Sequence, residues 1–272
     1  MELLRNHLRP SGLDGSVIAG VPLPSVDAAT PLALVSRCPE YARSPMINSR
    51  DLAKAAGVSE LWLKDERHRM GLGSFKALGA AYVIAHIAQT GADMSGYTFV
   101  TASAGNHGLS VAEGAKVFGA KSVVFISNAV PQAFATLLAE TGADVRRAGD
   151  DYQGSMDAAT AAARDNGWTP LSDSSWPGYF ELPHRLMEGY LVMAAEIVDQ
   201  MDTKPTHIFL QAGVGGLAGA VAAYLRDVWG DGPRIVVVEP DAAPALTESI
   251  RAGRVVTTPG PQSTMGRLDC KE

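Results

Sequence analysis

Cysteine is scarce in this chain, and its two copies, Cys38 and Cys270, lie far apart. Their spacing offers neither a disulfide framework nor the clustered ligands of a metal site, so we predict a reducing, cytoplasmic setting and no bound metal. Apolar residues form 46% of the sequence, yet they never make an uninterrupted run of membrane-spanning length. We therefore expect no membrane partner.

The chain also lacks an excess of positive charge. Acidic residues outnumber basic ones, 29 to 23, and the resulting net charge of −6 argues against general nucleic-acid binding. The first seven residues lack the apolar core of a signal peptide. Glycine, in contrast, is abundant, with 28 copies that cluster between apolar segments. A length of 272 residues suits one large domain or two smaller ones.

The apolar pattern predicts strands and helices that alternate along most of the chain. Prolines interrupt any period in residues 1–47, which we predict to be irregular. Alternation with short glycine-bearing connections indicates parallel sheets covered by helices. Strands are predicted at 60–66, 97–102, 122–127, 144–147, 168–171, 207–211 (a buried strand) and 234–239. Helices are predicted at 49–57, 76–89, 106–118, 131–141, 155–166, 180–201, 216–228 and 243–252.

The glycine-rich stretch from Gly71 to Gly79 carries the first candidate for chemistry. Its glycines allow a tight turn, and Ser74 is a plausible N-cap for the helix that follows. Lys76 then lies in the first helical turn, where positive charge and burial would lower its pKa. Such an amine suits a Schiff base with an aldehyde. The alternative is an ordinary surface lysine at a helix start.

Two further loops follow predicted strands, at the end of a parallel sheet where ligands bind. In the asparagine loop, Thr101–Gly108, small residues and helix-initiating N–H groups suit an anion. Asn106 could contact a ring hydroxyl or instead cap the helix, and His107 fits a structural histidine better than a proton carrier. In the glycine loop, Gln211–Gly219, the N–H groups suit a phosphate. Glu239 ends the next strand and leaves a nucleotide site open.

A third loop, Leu171–Tyr179, combines one acid, Asp173, with hydroxyls and aromatic side chains. It fits a packed turn and a substrate-facing loop equally well.

Taken together, these stretches resemble the fold-type II pyridoxal 5′-phosphate (PLP) enzymes. The resemblance lies in the order of a Ser-Phe-Lys lysine, a Ser-Ala-Gly-Asn-His loop and a glycine-rich phosphate loop, over roughly residues 60–240. Within that group the chain looks most like the diaminopropionate ammonia-lyases. The supporting stretches are Gly71–Gly79, Asp173–Tyr179, Met187–Tyr190, Gln211–Gly215, Val238–Asp241 and Ser263–Gly266.

The resemblance implies an α/β fold of the tryptophan synthase β type, with two three-layer α/β domains and mostly parallel sheets. A large PLP-binding domain would comprise residues 1–96 and 174–272, and a small mobile domain residues 97–173. Such enzymes are commonly homodimers.

The resemblance also implies roles for individual residues. Lys76 would hold PLP through a Schiff base, and Asn106 would contact the cofactor's ring oxygen. Asp173 matches an acid of the ammonia-lyase site. The cofactor phosphate would be bound by N–H groups of Gly213, Val214, Gly215, Gly216 and Leu217. The substrate carboxylate would be bound around Ser103, Ala104, Gly105, Asn106 and His107.

Two departures from that family bear on the activity. Ala104 stands where the diaminopropionate enzymes typically carry an aspartate proposed as a base for one substrate enantiomer. Its absence draws the loop toward the dehydratase pattern. The family also continues past the segment at 263–270 with more helices and a partner for the pyridine nitrogen, so this chain is either a fragment or has an incomplete site.

The predicted reaction is α,β-elimination from a small amino acid such as 2,3-diaminopropionate, giving a 2-oxo acid (pyruvate) and ammonia. Lys76 or Asp173 would remove the Cα proton, and Asp173 could instead protonate the leaving group. Serine/threonine dehydratase, or elimination of another leaving group, is the nearest alternative. A non-catalytic or nucleotide-binding α/β protein is the alternative of another class.

Overall fold

The computed structural model describes residues 3–7 and 20–271, and its elements alternate largely as predicted. The helices of these residues are α1 (Ala29–Val35), α2 (Arg50–Ala56), α3 (Lys76–Ala88), α4 (Asn106–Val117), α5 (Gln132–Glu140), α6 (Tyr152–Asn166), α7 (Glu181–Gln200), α8 (Gly216–Trp229) and α9 (Ala245–Ala252). The strands are β1 (Met46–Asn48), β2 (Trp62–Lys64), β3 (Thr98–Ala102), β4 (Lys121–Ile126), β5 (Asp144–Arg147), β6 (Thr169–Pro170), β7 (His207–Gln211) and β8 (Arg234–Val238).

Parallel pairing dominates the sheets. Four strands form a parallel sheet in the order β5-β4-β3-β6, and β7 pairs with β8 in a second parallel sheet. Strands β1 and β2 form a separate antiparallel pair. The α/β class and its parallel sheets are thus confirmed.

Residues 20–47 are not irregular throughout, contrary to the prediction. Helix α1 contains Pro31 in its first turn, where a missing N–H costs nothing. Its leading N–H groups, at Ala29 and Thr30, donate to the Asp27 carboxylate. Strand β1, which begins at Met46, was also missed because it has only three residues. The rest of that prediction, for residues 1–2 and 8–19, lies outside the described residues.

Two other local predictions need correction. Ser74 does not cap α3: the helix begins after Phe75, and the buried Ser74 hydroxyl finds no hydrogen-bond partner among the described residues. Strand β7 is not buried either, because β8 is its one partner strand among the described residues. Its Leu210 is buried, whereas Phe209 is 66% exposed.

Three helices form the framework behind the sheets. Helix α7 packs against both α3 and α8, and these helices share a buried apolar cluster that includes Leu78, Tyr190 and Val221. A second cluster joins α3 to α4 and to Phe99 of β3. Helix α3, which begins at Lys76, is therefore held from both sides.

Candidate active site

A cavity of about 240 Å³ lies at the start of α3. Its lining comes from the beginning of α3, the loop after β6, one face of α7 and the glycine loop that leads into α8. The lining residues are Lys76, Asp173, Ser175, Pro183, Leu186, Met187, Tyr190, Val214, Gly215 and Gly216. Five residues that the sequence singled out are thus brought together: Lys76, Asp173, Val214, Gly215 and Gly216.

The amine of Lys76 is paired inside this cavity. Its Nζ donates a hydrogen bond of 2.6 Å to Oδ2 of Asp173, and it lies 5.3 Å from the ring centre of Phe75 and 5.7 Å from that of Tyr190. The two charged side chains are each less than 20% exposed, at 18% and 17%. The aromatic faces and the carboxylate together hold the amine at the first position of α3.

The electrostatics of this pair differ from the sequence prediction for Lys76. Burial is the largest influence and acts to lower the pKa of Lys76, but the nearby Tyr190 and Asp173 outweigh it and raise that pKa. For Asp173, burial acts to raise the pKa, and the nearby His107 and Lys76 outweigh it and lower that pKa. The pair is therefore an ammonium–carboxylate pair at neutral pH, with the lysine's proton already hydrogen-bonded to a carboxylate that could receive it.

The loop that carries Asp173 is both a packed turn and part of the cavity. The rings of Trp176 and Tyr179 stack with centres 4.2 Å apart. The Tyr179 hydroxyl donates to the Pro170 carbonyl at 2.9 Å and accepts from the Ser172 N–H at 3.0 Å. These bonds tie the loop to the end of β6, so the position of the Asp173 carboxylate is fixed by the aromatic turn.

The asparagine loop lies beside this site rather than in the cavity lining. It follows β3, and α4 begins at Asn106. His107 is 3% exposed, and its Nε2 lies 2.8 Å from the Leu171 carbonyl, two residues before Asp173. Since a carbonyl only accepts, Nε2 carries the proton in this hydrogen bond. Burial lowers the pKa of His107, which favours its neutral form.

The glycine loop forms an uncapped helix start at the cavity wall. Gly215 precedes α8 with φ of +85°, in the left-handed region that favours glycine, and no side chain caps the helix. The positive end of this 14-residue helix and its N–H groups therefore face the cavity lined by Gly215 and Gly216. Gly213 and Leu217, which were predicted with them, flank the lining residues in sequence.

Nucleotide binding at the glycine loop would need an acidic residue for the ribose, and Glu239 is not free for that purpose. Glu239 accepts from the Leu246 N–H at 2.7 Å and from the Thr247 N–H at 2.8 Å. The carboxylate thus binds the first turn of α9 instead of facing the loop.

The residues of the cavity fit PLP. That cofactor needs an amine for its aldehyde and N–H donors for its phosphate, which Lys76 and the start of α8 provide. Among the described residues, the buried hydroxyl of Tyr190 forms no direct hydrogen bond, although Lys76 lies close to it, and this is consistent with a polar ligand. Sequence reasoning missed Tyr190 and Met187, although both lie in a stretch that carried the family resemblance.

Comparison with known proteins agrees with a PLP site. Residues 38–272 match the model of the pyridoxal-phosphate dependent enzyme family. The chain belongs to this family. It is 33% identical to the diaminopropionate ammonia-lyase of Escherichia coli K12 over 252 residues, which cover 85% of this chain and 63% of that enzyme. It is 30% identical to the L-serine dehydratase/L-threonine deaminase of Mus musculus over 221 residues, 80% of this chain and 63% of the mouse enzyme.

A solved structure gives the same relationship. The Escherichia coli diaminopropionate ammonia-lyase in complex with an aminoacrylate–PLP azomethine reaction intermediate matches with a TM-score of 0.82 and 32% identity, covering 95% of this chain and 69% of that one. The fold-type II assignment is thereby confirmed. The chain spans less than two thirds of the length of the two curated relatives named above.

The described residues contain no group of three or more His, Cys, Asp and Glu side chains arranged to hold a metal. Within the same residues, no helix combines the length and the apolar character needed to cross a bilayer.

Proposed function

We propose that this chain is a PLP-dependent ammonia-lyase that eliminates ammonia from a small amino acid such as 2,3-diaminopropionate, yielding pyruvate and ammonia. The observation that carries the proposal is the buried Lys76–Asp173 pair in one cavity with the uncapped start of α8. The relative from Escherichia coli, named for this activity, supports the choice of substrate.

The residues would divide the work as follows. When bound, PLP supplies a ring that delocalises negative charge from the substrate's Cα. Lys76 would anchor the cofactor, and its amine would move the Cα proton of the substrate. Asp173 either shares that task as base or donates a proton to the leaving amine. The phosphate would be held by N–H groups of Gly213, Val214, Gly215, Gly216 and Leu217, and the ring oxygen by Asn106.

The substrate carboxylate is assigned to the asparagine loop. This loop is joined to the loop of Asp173 by the hydrogen bond between His107 and the Leu171 carbonyl. The residues concerned are Ser103, Ala104, Gly105, Asn106 and His107. Ala104 offers no carboxylate, so we expect a strong preference for one enantiomer of the substrate.

Serine/threonine dehydratase activity is the second candidate. It is favoured by Ala104 and by the similarity to the mouse dehydratase/deaminase. A panel of both enantiomers of 2,3-diaminopropionate with serine, threonine and cysteine, scored by 2-oxo acid release, separates the candidates. Fastest turnover of a diaminopropionate enantiomer supports the proposal, and faster turnover of serine or threonine replaces it with the dehydratase.

The presence of the cofactor tests the proposal against a non-catalytic or nucleotide-binding protein. Purified chain incubated with PLP should show visible absorbance that borohydride bleaches, with the label on Lys76 by mass spectrometry. A chain that stays colourless and releases no 2-oxo acid from any substrate would contradict the proposal.

We further propose that the protein is a cytoplasmic homodimer in which residues 97–173 form a small domain and residues 1–96 with 174–272 a large one. The four-stranded sheet, which lies wholly within 98–170, supports the division. Exposed apolar side chains on β7 and β8 support a protein partner. Sedimentation velocity tests the dimer.

A further inference from the structure

A guanidinium group lies against the asparagine loop. Arg267 belongs to the short helical turn Gly266–Leu268, and a Cβ atom added at Gly105 would collide with its Nη1. The guanidinium carbon lies 5.4 Å from the ring centre of Phe134 in α5. Within residues 3–7 and 20–271, no carboxylate forms an ion pair or a hydrogen bond with Arg267.

The surroundings of this guanidinium are also positive. Gly105 precedes α4, a helix of 12 residues without a side-chain cap and without an acidic residue in its first turn. The helix start carries partial positive charge, so a guanidinium beside it is unfavourable unless an anion lies near both. An arrangement of this kind suits a carboxylate.

The segment that carries Arg267 is held in place by the residues that follow it in sequence. Next to it in sequence, Leu268 lies against the glycine loop, with its Cα 3.3 Å from where a Cβ of Gly213 would be. Further along, the Lys271 ammonium donates to the carbonyls of Ala242 and Pro261 at 2.6 and 2.9 Å. Arg267 is therefore held between the two loops rather than projecting from a free tail.

We propose that Arg267 binds the α-carboxylate of the substrate together with the N–H groups at the start of α4. It is thus a positioning residue that makes the site select amines bearing a free carboxylate. This inference rests on the proposed function, because it assigns the substrate carboxylate to the asparagine loop.

The test compares 2,3-diaminopropionate with its carboxamide, which keeps both amines but has no carboxylate. The full chain loaded with PLP is prepared as wild type, Arg267→Gln, Arg267→Lys and Arg254→Gln. Arg254 is a matched control, since it is an exposed arginine that donates to the carbonyl of Val255. Spectral titration gives the Kd, and steady-state assays give KM and kcat.

Arg267→Gln should raise Kd and KM for diaminopropionate about 10- to 100-fold, the usual effect of losing one charge-assisted hydrogen bond. We expect kcat to change less than threefold and carboxamide binding to stay as in wild type. Arg267→Lys should recover part of the affinity, and Arg254→Gln should match wild type. Equal weakening of acid and amide would mean a purely structural role and overturn the inference. A lower KM would do the same, because Arg267 would then compete with the substrate.

Saturation-transfer NMR on the cofactor-free chain measures the same preference for the carboxylate without catalysis. If the chain releases no ammonia from diaminopropionate but binds it more tightly than the carboxamide, and this preference depends on Arg267, the proposed function fails and the inference stands. If elimination is seen but neither measurement depends on Arg267, the inference alone fails.

Discussion

The amine of Lys76 is paired with a carboxylate that lies 97 residues later in the chain. Local sequence indicated a lysine whose pKa is lowered by burial and by the helix start. The structure shows the opposite direction, because Asp173 and Tyr190 raise that pKa. No pattern within one stretch reveals such a pair, since it depends on how the loop after β6 folds back onto α3.

Substitution of the lysine itself gives the most direct prediction. Lys76→Ala should abolish both elimination and the borohydride-sensitive absorbance, because no other lysine lines the cavity within the described residues. Lys54→Ala, at an exposed position of α2, is the matched control and should behave as wild type. Retention of a reducible chromophore in Lys76→Ala would refute the assignment.

Removal of the carboxylate should move the lysine's titration downward. In Asp173→Asn, burial still lowers the pKa of Lys76 while its negatively charged partner is gone. The pH midpoint for labelling Lys76 with a small amine reagent, followed by mass spectrometry on the cofactor-free chain, should therefore fall. Turnover should drop at least tenfold while PLP affinity changes less. Asp144→Asn, at an exposed surface pair, is the control. A midpoint that stays in place would show that Asp173 does not govern Lys76.

At the scale of elements, α3 and α7 approach each other through two glycines. A Cβ atom at Gly189 would lie 2.6 Å from the Leu78 carbonyl oxygen, and one at Gly79 would lie 2.7 Å from Cε1 of Tyr190. Backbone thus meets backbone where α7 crosses α3. This contact sets the distance of Tyr190 from Lys76.

Even one added methyl group should disturb that crossing. Gly189→Ala is expected to lower the free energy of unfolding by about 1–3 kcal/mol, the usual cost of overpacking, as measured by urea denaturation. Gly96→Ala, where no atom lies within 4 Å of the added Cβ, should stay within about 0.5 kcal/mol of wild type. Equal stability of the two variants would mean that the helices separate freely.

A buried charge cluster ties β2 to α7. Oε2 of Glu196 lies 2.7 Å from Nη2 of Arg69 and 2.7 Å from Nζ of Lys64, and the glutamate side chain is 1% exposed. Removal of Glu196 would leave Lys64 without its paired carboxylate, whereas Arg69 would keep its ion pair with Glu66. The cluster is therefore a point where a single substitution has a large effect.

Glu196→Gln should destabilise the fold by about 3 kcal/mol, because the buried Lys64 loses its paired carboxylate and Arg69 loses one of two. Thermal unfolding checks the direction, and urea denaturation gives the magnitude. The control is Glu140→Gln, at an exposed position ending α5, which should unfold as wild type does. A stability change below about 1 kcal/mol in Glu196→Gln would contradict this account.

Elements with a clear apolar pattern could be predicted from the sequence, even the four-residue β5, whereas elements that depend on their surroundings could not. Helix α7 and strand β5 appear where apolar spacing placed them, because periodicity reports a face directly. Helix α1 was missed because Pro31 was taken as a breaker, and β7 was taken as buried because its composition is that of a central strand. In both cases the outcome depends on neighbours rather than on the segment itself.

The same distinction holds for the candidate site. Motif order located Lys76, Asp173 and the glycine loop, since each combines unusual residues with a strand end. Arg267 carries no such signal, because its contact with Gly105 arises only when the segment around it crosses between the two loops. A lone arginine in a sequence does not reveal what it faces.

At the scale of the whole molecule, the β7–β8 sheet leaves apolar side chains in contact with solvent. Phe209 is 66% exposed, and Val237 and Val238 are 37% and 42% exposed. Adjacent exposed apolar groups on paired strands favour association.

We expect this surface to make the chain associate as its concentration rises. Phe209→Ser should shift sedimentation velocity profiles toward the smaller species, because it removes the most exposed aromatic ring of that sheet. Val117→Ser removes an equally exposed apolar side chain (70%) from the end of α4 and should leave the profile unchanged. Identical profiles for both variants would exclude β7–β8 as the interface.

The glycine crossing of α3 and α7 also bears on how such an enzyme can diversify. The spacing between α3 and α7 is set there by main chain rather than by side chains. Substitutions in the surrounding core should therefore change the position of Lys76 little. Under the proposed function and the role proposed for Arg267, substrate choice would rest instead on loop residues such as Ala104 and Arg267, which can be exchanged one at a time. The helix crossing would therefore preserve the reaction, while substitutions in the loops would change the substrate.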